Sequence, residues 1–271
     1  MKKTILVILL LISVTSVFYS QETDEPKTAS HKTTFFPFSY PKAFSNFHNH
    51  FINTSFTVPF SKEYQNDYLS MNLGYRYENL YTKASCGLQT AESNIKFFMN
   101  DTLWLINQTK HNKNNEEYFS LRFGLKTFFN LIHYNNLVTY YNILFGQEST
   151  FNIIPDSFTI STEFMFDATI GNIDTDDTDS IIINWWDFAF KVTFLYIMPF
   201  QPELTLYLDM SNYDDYTLQR FYAPIFSLGV KYDSPYKFST SAEFNLHYTD
   251  LFSFSRYLEY AAFTLKGEYR F

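Results

Sequence analysis

The chain has 271 residues, of which 46% are hydrophobic and 21% aromatic, and its formal net charge is −8. This acidic balance argues against a nucleic-acid partner, because nucleic-acid binding rests on cationic surfaces. The single cysteine, Cys86, excludes an internal disulfide framework. The mean hydropathy is −0.20, and no apolar stretch after the N-terminal region is long enough for a membrane-spanning helix, which excludes a helical membrane protein.

The N-terminal residues predict an exported protein. Lys2 and Lys3 precede an apolar run from Ile5 to about Val14, and small residues follow. This order is typical of a secretory signal peptide, which we place at residues 1–20. Residues 21–42 are predicted to form a flexible lead-in, because charged and hydroxyl side chains dominate the first part and two prolines keep the rest irregular.

From residue 43 to residue 271, apolar and polar side chains alternate, which predicts β-strands in one domain. The alternation places strands near residues 44–58, 68–78, 81–90, 94–106, 119–129, 137–146, 158–171, 186–198, 204–211, 226–232, 238–248 and 263–271. Most of them reach the length of about 9 to 11 residues that a transmembrane strand needs. Strands of a soluble sandwich are usually about 5 to 6 residues long. Aromatic residues also gather near strand ends, so the pattern favours a membrane barrel.

The turns predict how the strands are connected. Pro199–Pro202 and Asp233–Pro235 are tight, as periplasmic turns are, whereas Asn172–Ser180 and Asp250–Arg256 are typical of longer outer loops. The predicted fold is all-β, a closed antiparallel up-and-down transmembrane barrel of about 12 strands. This count places the polar segment Asn107–Glu117, interpreted as a loop, on the periplasmic side where loops are short. About 10 or about 14 strands are therefore alternatives.

The C-terminal segment carries a family resemblance. Phe263, Leu265, Tyr269 and Phe271 share one face, and charged residues alternate with them. The segment resembles the C-terminal signature of bacterial outer-membrane β-barrel proteins, although Gly267 departs from it. The resemblance implies that the barrel-assembly machinery recognises the chain. It also implies an outer membrane of Gram-negative type as the location and membrane lipid as a partner.

The polar faces of the predicted strands supply the candidate functional residues. Buried charges must be paired or hydrated, so these side chains would line a narrow channel or close the interior with ion pairs. The predicted pore-lining residues are Arg76, Glu78, Arg122, Lys126, Glu163, Asp167, Asp187, Lys191, Asp209, Lys231, Glu243 and Lys266.

Other groups of side chains favour no specific chemistry. The acidic segment Asp174–Asp179 lacks the glycine and final glutamate of an EF-hand loop and is interpreted as a solvated loop. His48 and His50 would share a strand face but have no third ligand nearby, so we interpret them as polar lining. His247 has Thr249 rather than a serine two residues further on, and no catalytic triad is evident. We predict no metal, no cofactor and no catalytic residue.

The preferred functional hypothesis is a narrow, porin-like channel for small hydrophilic solutes, with selectivity set by the charges of its interior. One alternative is a non-conducting structural or adhesin-like barrel that contacts other molecules through its outer loops. A barrel that hydrolyses lipids and a secreted soluble sandwich are the remaining alternatives.

Overall fold

The computed structural model describes residues 30–35, 47–60, 68–78, 82–91, 94–133, 137–174, 179–212, 224–248 and 258–271. The predicted signal peptide lies outside these residues. Among them no helix is long and apolar enough to cross a membrane. The strands described are β1 (Ser30–Phe35), β2 (Phe47–Phe60), β3 (Tyr68–Glu78), β4 (Thr82–Ala91), β5 (Asn94–His111), β6 (Glu117–His133), β7 (Leu137–Ile154), β8 (Phe158–Asp174), β9 (Asp179–Met198), β10 (Gln201–Ser211), β11 (Ile225–Asp233), β12 (Phe238–Tyr248) and β13 (Leu258–Arg270).

Strands β2 to β13 form a closed ring of twelve. Each strand pairs antiparallel with its neighbours in the chain, and β13 pairs with β2 to close the sheet. The predicted class is therefore confirmed, and so is the count of about 12 strands. Because the sheet closes on itself, the ring has no unpaired edge along its circumference. The soluble sandwich is excluded, since a sandwich needs two separate packed sheets.

Strand β1 lies outside the ring and pairs with the part of β5 that extends past the end of β4. Ser30 to Phe35 pair with His111 to Ile106 of β5, beyond Leu103, where the pairing of β4 with β5 ends. The sequence places residues 30–35 in the irregular lead-in, whereas the structure shows them as a strand. The difference arises because β5 is long enough to offer a second partner site past the end of β4.

The polar segment Asn107–Glu117 is not a loop, and this prediction is wrong. Strand β5 continues to His111 and β6 begins at Glu117, so the connection is a tight turn. The side-chain oxygen of Asn112 accepts hydrogen bonds from the backbone N–H groups of Asn114 and Glu116, at 2.9 and 3.0 Å. Asparagine forms such turns readily. A long loop at this end of the barrel would have conflicted with the short turns expected there. The tight turn removes this conflict, and the count of twelve strands stands.

The turns that the structure describes lie at one end of the barrel. Described turns at residues 112–116, 155–157, 199–200 and 234–237 lie at the same end as the C-terminal Phe271. The predicted periplasmic turns at Pro199 and Asp233 belong to this set. The acidic segment is shorter than predicted, because Asp174 and Asp179 pair with each other at the ends of β8 and β9. Residues 175–178, between them, lie outside the described residues.

Apolar side chains cover the outside of the ring. In β3, Leu69, Met71 and Leu73 are 48 to 64% exposed, whereas the intervening Ser70 and Asn72 are buried. The same alternation runs around the barrel and defines an outer apolar belt: Ile52, Phe56, Leu69, Met71, Leu73, Leu88, Ile95, Phe97, Met99, Ile143, Phe145, Phe166, Ile170, Phe194, Leu206, Leu208, Leu228, Phe244 and Leu265. Soluble proteins rarely expose so large a continuous apolar surface to water. Contact with hydrocarbon accounts for it.

Candidate functional site in the barrel interior

The register of the strands places the predicted pore-lining positions on the inward face. Inward positions of neighbouring strands face each other, as Lys231 faces Ser241 and Glu243 faces Thr264. Glu163, Asp167 and Glu243 are less than a tenth exposed. The side chains of Glu78 and Asp187 lie outside the described residues. The structure therefore shows that the other predicted residues point inward. That they line a passage is a separate proposal.

One group of charges crosses the position where the barrel closes. Arg76 on β3 contacts Glu268 on β13 at 3.2 Å, and Glu268 contacts Arg270 at 2.9 Å. Arg270 in turn contacts Asp233 on β11 at 2.9 Å, and Asp233 contacts Lys231 at 2.8 Å. We call these five residues the seam network, because they link strands on both sides of the β13–β2 pairing. Each cation of this network has a carboxylate within contact distance.

A second group lies on β10, β12 and β13. The Lys266 ammonium group contacts the Glu243 carboxylate at 2.7 Å, and the Tyr207 hydroxyl donates a hydrogen bond to the same carboxylate. Tyr207 lies over Gly229, the inward position of the next strand, where a side chain would collide with the phenol ring. Glu243 is therefore held from two sides, and this predicted residue has well-defined partners.

A third group occupies β6, β7 and β8. Lys126 contacts Glu163 at 2.7 Å, and Arg122 lies 3.8 Å from Glu148. The Lys126 ammonium group is also 5.8 Å from the centre of the Trp104 ring, within the range of a cation–π interaction. The sequence places Glu148 outside any strand, because the predicted strand stops at residue 146. The structure continues β7 to Ile154 and brings Glu148 to the inner wall.

Asp167, Asp209 and Lys191 complete the predicted set. Asp167 is 2% exposed and accepts a long hydrogen bond of 3.4 Å from the Asn142 amide. Asp209 faces Thr193 and Ser227 across β9 and β11, and Lys191 faces Glu163 on β8. These positions extend the polar interior along the β7–β11 wall.

The interior also contains large apolar side chains, which the predicted polar lumen omits. Phe51, Phe98, Leu144 and Met165 are at most 1% exposed, and Trp104 and Phe128 are 5% exposed. We call these six residues the packed band. Their near-complete burial shows that side chains occupy much of the interior at this level. By contrast, the side chains of Lys231, Asp233 and Lys266 remain about two-fifths exposed.

Glycines create the room for the packed band. Phe51 of β2, Gly74 of β3, Gly87 of β4 and Phe98 of β5 occupy facing positions in one row across the sheet. A Cβ atom on Gly74 would come 2.8 Å from the Phe51 ring, and one on Gly87 would come 3.0 Å from the Phe98 ring. Each ring therefore lies over a glycine, as aromatic side chains do at glycines in designed sheets.

A second row repeats this arrangement. Trp104 of β5, Gly124 of β6, Gly146 of β7 and Met165 of β8 face one another in order. A Cβ on Gly124 would come 2.9 Å from the Trp104 ring. Inward glycines were the signal in the sequence that could have revealed the packed band, since a glycine within a strand marks the close approach of another group.

The C-terminal residues and His50 meet on the outside of the barrel. Leu265, Tyr269 and Phe271 are about half exposed on the outward face, as the alternation predicts. Phe271 continues the sheet, because its N–H and C=O both bond to the backbone of His50, at 3.0 and 3.2 Å. The His50 ring stacks on Phe271, with centroids 5.7 Å apart. The role of this segment as an assembly signature stays a prediction.

The outward position of His50 corrects its interpretation as polar lining. The neighbouring Phe51 takes the inward position over Gly74, so His50 points to the opposite face. The side chain of His48 lies outside the described residues. In the part of the chain that the structure describes, no group of three or more possible metal ligands occurs.

His247 has an aromatic partner rather than a catalytic one. Its ring stacks on Tyr260 with centroids 4.1 Å apart and an angle of 13° between the planes. Thr249 lies outside the described residues. The stacking fixes the imidazole against β13 and supplies no carboxylate of the kind that orients a catalytic histidine.

The structure thus defines a closed twelve-stranded barrel with an apolar outside and a charged, partly packed inside. No protein-family model and no curated protein sequence matches the chain. Solved structures similar to it include a KdgM porin, at 9% identity over 82% of this chain and 99% of that one, with a TM-score of 0.47. Others are the outer membrane phospholipase A of Escherichia coli, at 6% identity over 86% and 94% with a TM-score of 0.43, and Omp33 of Acinetobacter baumannii, at 8% over 83% and 98% with a TM-score of 0.40.

Proposed function

We propose that the protein is an exported bacterial outer-membrane β-barrel that forms a narrow, charge-lined passage for small hydrophilic solutes. The observation that carries this proposal is the series of paired charges on the inner wall, enclosed by the outer apolar belt. A barrel in hydrocarbon gains no stability from charges in its interior unless they are paired or hydrated. A polar interior of this extent suits a passage for polar solutes.

The number of strands sets the scale of the passage. An eight-stranded barrel is filled by its own side chains, whereas one of about 16 strands leaves a wide aqueous channel. Twelve strands lie between these cases. The packed band narrows the interior further, because Phe51, Phe98 and Leu144 point inward and are at most 1% exposed. We therefore expect a small conductance, limited at the packed band.

Single-channel recording in planar bilayers tests the proposal. The wild-type protein should produce small conductance steps, and Phe98→Ala should enlarge them because the ring that covers Gly87 is removed. Phe97→Ala is the matched control: the neighbouring ring is 37% exposed on the outward face, so its removal should leave the conductance unchanged. Wild-type protein that is folded, as judged by heat-modifiable gel migration, and yet gives no steps would contradict the channel.

The second candidate is a closed, non-conducting barrel with a structural role, which the packed band favours. In that case the wild-type protein gives no conductance, whereas Phe98→Ala acquires it. The same recording thus separates the two functions. Neither proposal assigns a reaction to the protein.

A further inference from the structure

A small cavity lies against the inner wall formed by β3 to β6. Its volume is about 70 Å³, and three cationic side chains line it: Arg76, Lys83 and Lys126. A water molecule occupies about 30 Å³ in the liquid. The cavity therefore accommodates roughly two waters, or one carboxylate or phosphate group of similar size.

The register of the strands explains why these cations converge. Arg76 of β3 faces Ser85 of β4, which faces Asn100 of β5. In the adjacent inward row, Lys83 of β4 faces Thr102 of β5, which in turn faces Lys126 of β6. The second row places a hydroxyl between two cations, and the first has one cation followed by two neutral hydrogen-bonding groups. Lys83 was absent from the predicted lining, although it alternates with Ser85 and Gly87 along β4.

Aromatic contacts hold two of the three cations in place. The Arg76 guanidinium lies 4.8 Å from the centre of the Phe51 ring, and Lys126 lies near Trp104 as described above. Phe51 and Phe128 form the apolar walls of the cavity. Arg76 contacts the Glu268 carboxylate at 3.2 Å, and Lys126 contacts the Glu163 carboxylate at 2.7 Å. The cavity lining itself includes no carboxylate.

We propose that this cavity binds one oxyanion, the carboxylate or phosphate group of a small anionic solute. Three like charges beside one cavity repel one another, and an anion between them relieves the repulsion. Arginine and lysine both bind carboxylates and phosphates through charge-assisted hydrogen bonds. The hydroxyl groups of Ser85 and Thr102 are able to donate further hydrogen bonds. The binding site itself does not depend on the proposed function. That the passage carries anionic solutes does rest on the proposed function.

Calorimetric titration of the folded, detergent-solubilised protein with inorganic phosphate tests the site. We expect saturable binding that Lys83→Gln weakens about tenfold or more, as loss of a hydrogen bond to a charged group should. Lys113→Gln makes the same change of net charge at the exposed turn between β5 and β6 and should leave the affinity unchanged. Thr102→Val removes a hydroxyl without changing charge or bulk, and should weaken binding by a smaller factor.

Parallel titrations with acetate and with glucose define the ligand chemistry. Binding of phosphate or acetate, with none of glucose, supports an oxyanion site and shows which group it prefers. No saturable binding by either anion, or equal weakening by Lys83→Gln and Lys113→Gln, overturns the proposal. Conductance recorded in chloride alone reports on the channel independently. Phosphate binding by a non-conducting barrel would therefore refute the passage and leave the site in place.

Discussion

Loss of the Glu268 carboxylate should weaken the barrel at the place where it closes. Glu268 accepts contacts from Arg76 at 3.2 Å and from Arg270 at 2.9 Å, and these arginines belong to strands on either side of the β13–β2 pairing. Glu268→Gln keeps the shape of the side chain and removes its charge. Two guanidinium groups then lose one anionic partner at the same time.

The expected magnitude follows from the burial of the three side chains. Glu268 is 14% exposed, and the two arginines are 25% and 28% exposed. Breaking a fully buried ion pair costs about 3–5 kcal/mol, and an exposed pair is worth about 0–1 kcal/mol. Arg270 keeps Asp233, and Arg76 keeps the face of Phe51. We expect a loss of about 2 kcal/mol in the free energy of unfolding, a factor of roughly 30 in the ratio of folded to unfolded protein.

Urea titration of the protein reconstituted in lipid vesicles measures this change. Asp156→Asn is the control, because it removes the same charge from an exposed turn between β7 and β8 where asparagine tolerates the positive φ of 58°. Arg76→Gln and the double variant complete a thermodynamic cycle. A Glu268→Gln effect no larger than that of Asp156→Asn, or purely additive effects in the cycle, would show that the seam network does not stabilise closure.

Three further results are expected from the fold. Gly74→Ala should lower the free energy of unfolding by about 1–3 kcal/mol or more, since its Cβ meets Phe51 and the backbone. Gly267→Ala is the control and should leave the free energy of unfolding unchanged, because no atom lies nearer than 3.6 Å to its Cβ. Equal urea midpoints for the two variants would contradict the Phe–Gly packing. Leu228→Arg, in the outer apolar belt and midway along β11, should cost about 2–4 kcal/mol in vesicles, whereas a cost near zero would place this face in water. Deletion of residues 30–35 should leave heat-modifiable migration intact, because β1 pairs only with β5 among the described strands. The deletion should also speed tryptic cleavage at Lys110, which β1 covers by pairing. Loss of the folded band on the gel would show that β1 takes part in closing the barrel.

The fold could be predicted from the sequence because the relevant signal is local. Alternation in Leu69 to Arg76 or in Leu204 to Ser211 depends on one strand at a time, and a barrel in hydrocarbon enforces it on every strand. The end of a strand is a weaker signal. Asn107 to His111 are polar on both faces and still form strand, since backbone pairing with β6 and β1 satisfies their hydrogen bonds.

The interior could be predicted only in part. The charges Glu163 and Glu243 lie inward as their alternation requires, but their partners depend on register between strands that are distant in the sequence. Lys126 and Glu163 are separated by 37 positions, and Arg76 and Glu268 by 192. The packed band was not predicted for a related reason. In the sequence, an inward phenylalanine cannot be distinguished from an outward one. The distinction needs the register, which shows the glycine that faces the phenylalanine across the sheet.

The central claim is that hydrocarbon contacts the outer apolar belt while the opposite face of each strand lines the interior. Spin labels placed one at a time along β10, in a Cys86→Ala background and in lipid vesicles, test it most directly. Labels at Leu206 and Leu208 should be relaxed mainly by oxygen, which concentrates in lipid, and labels at Thr205 and Asp209 mainly by a water-soluble nickel complex or by neither. Equal relaxation at all four positions, or the reverse alternation, would contradict a membrane-embedded barrel with this inside and outside.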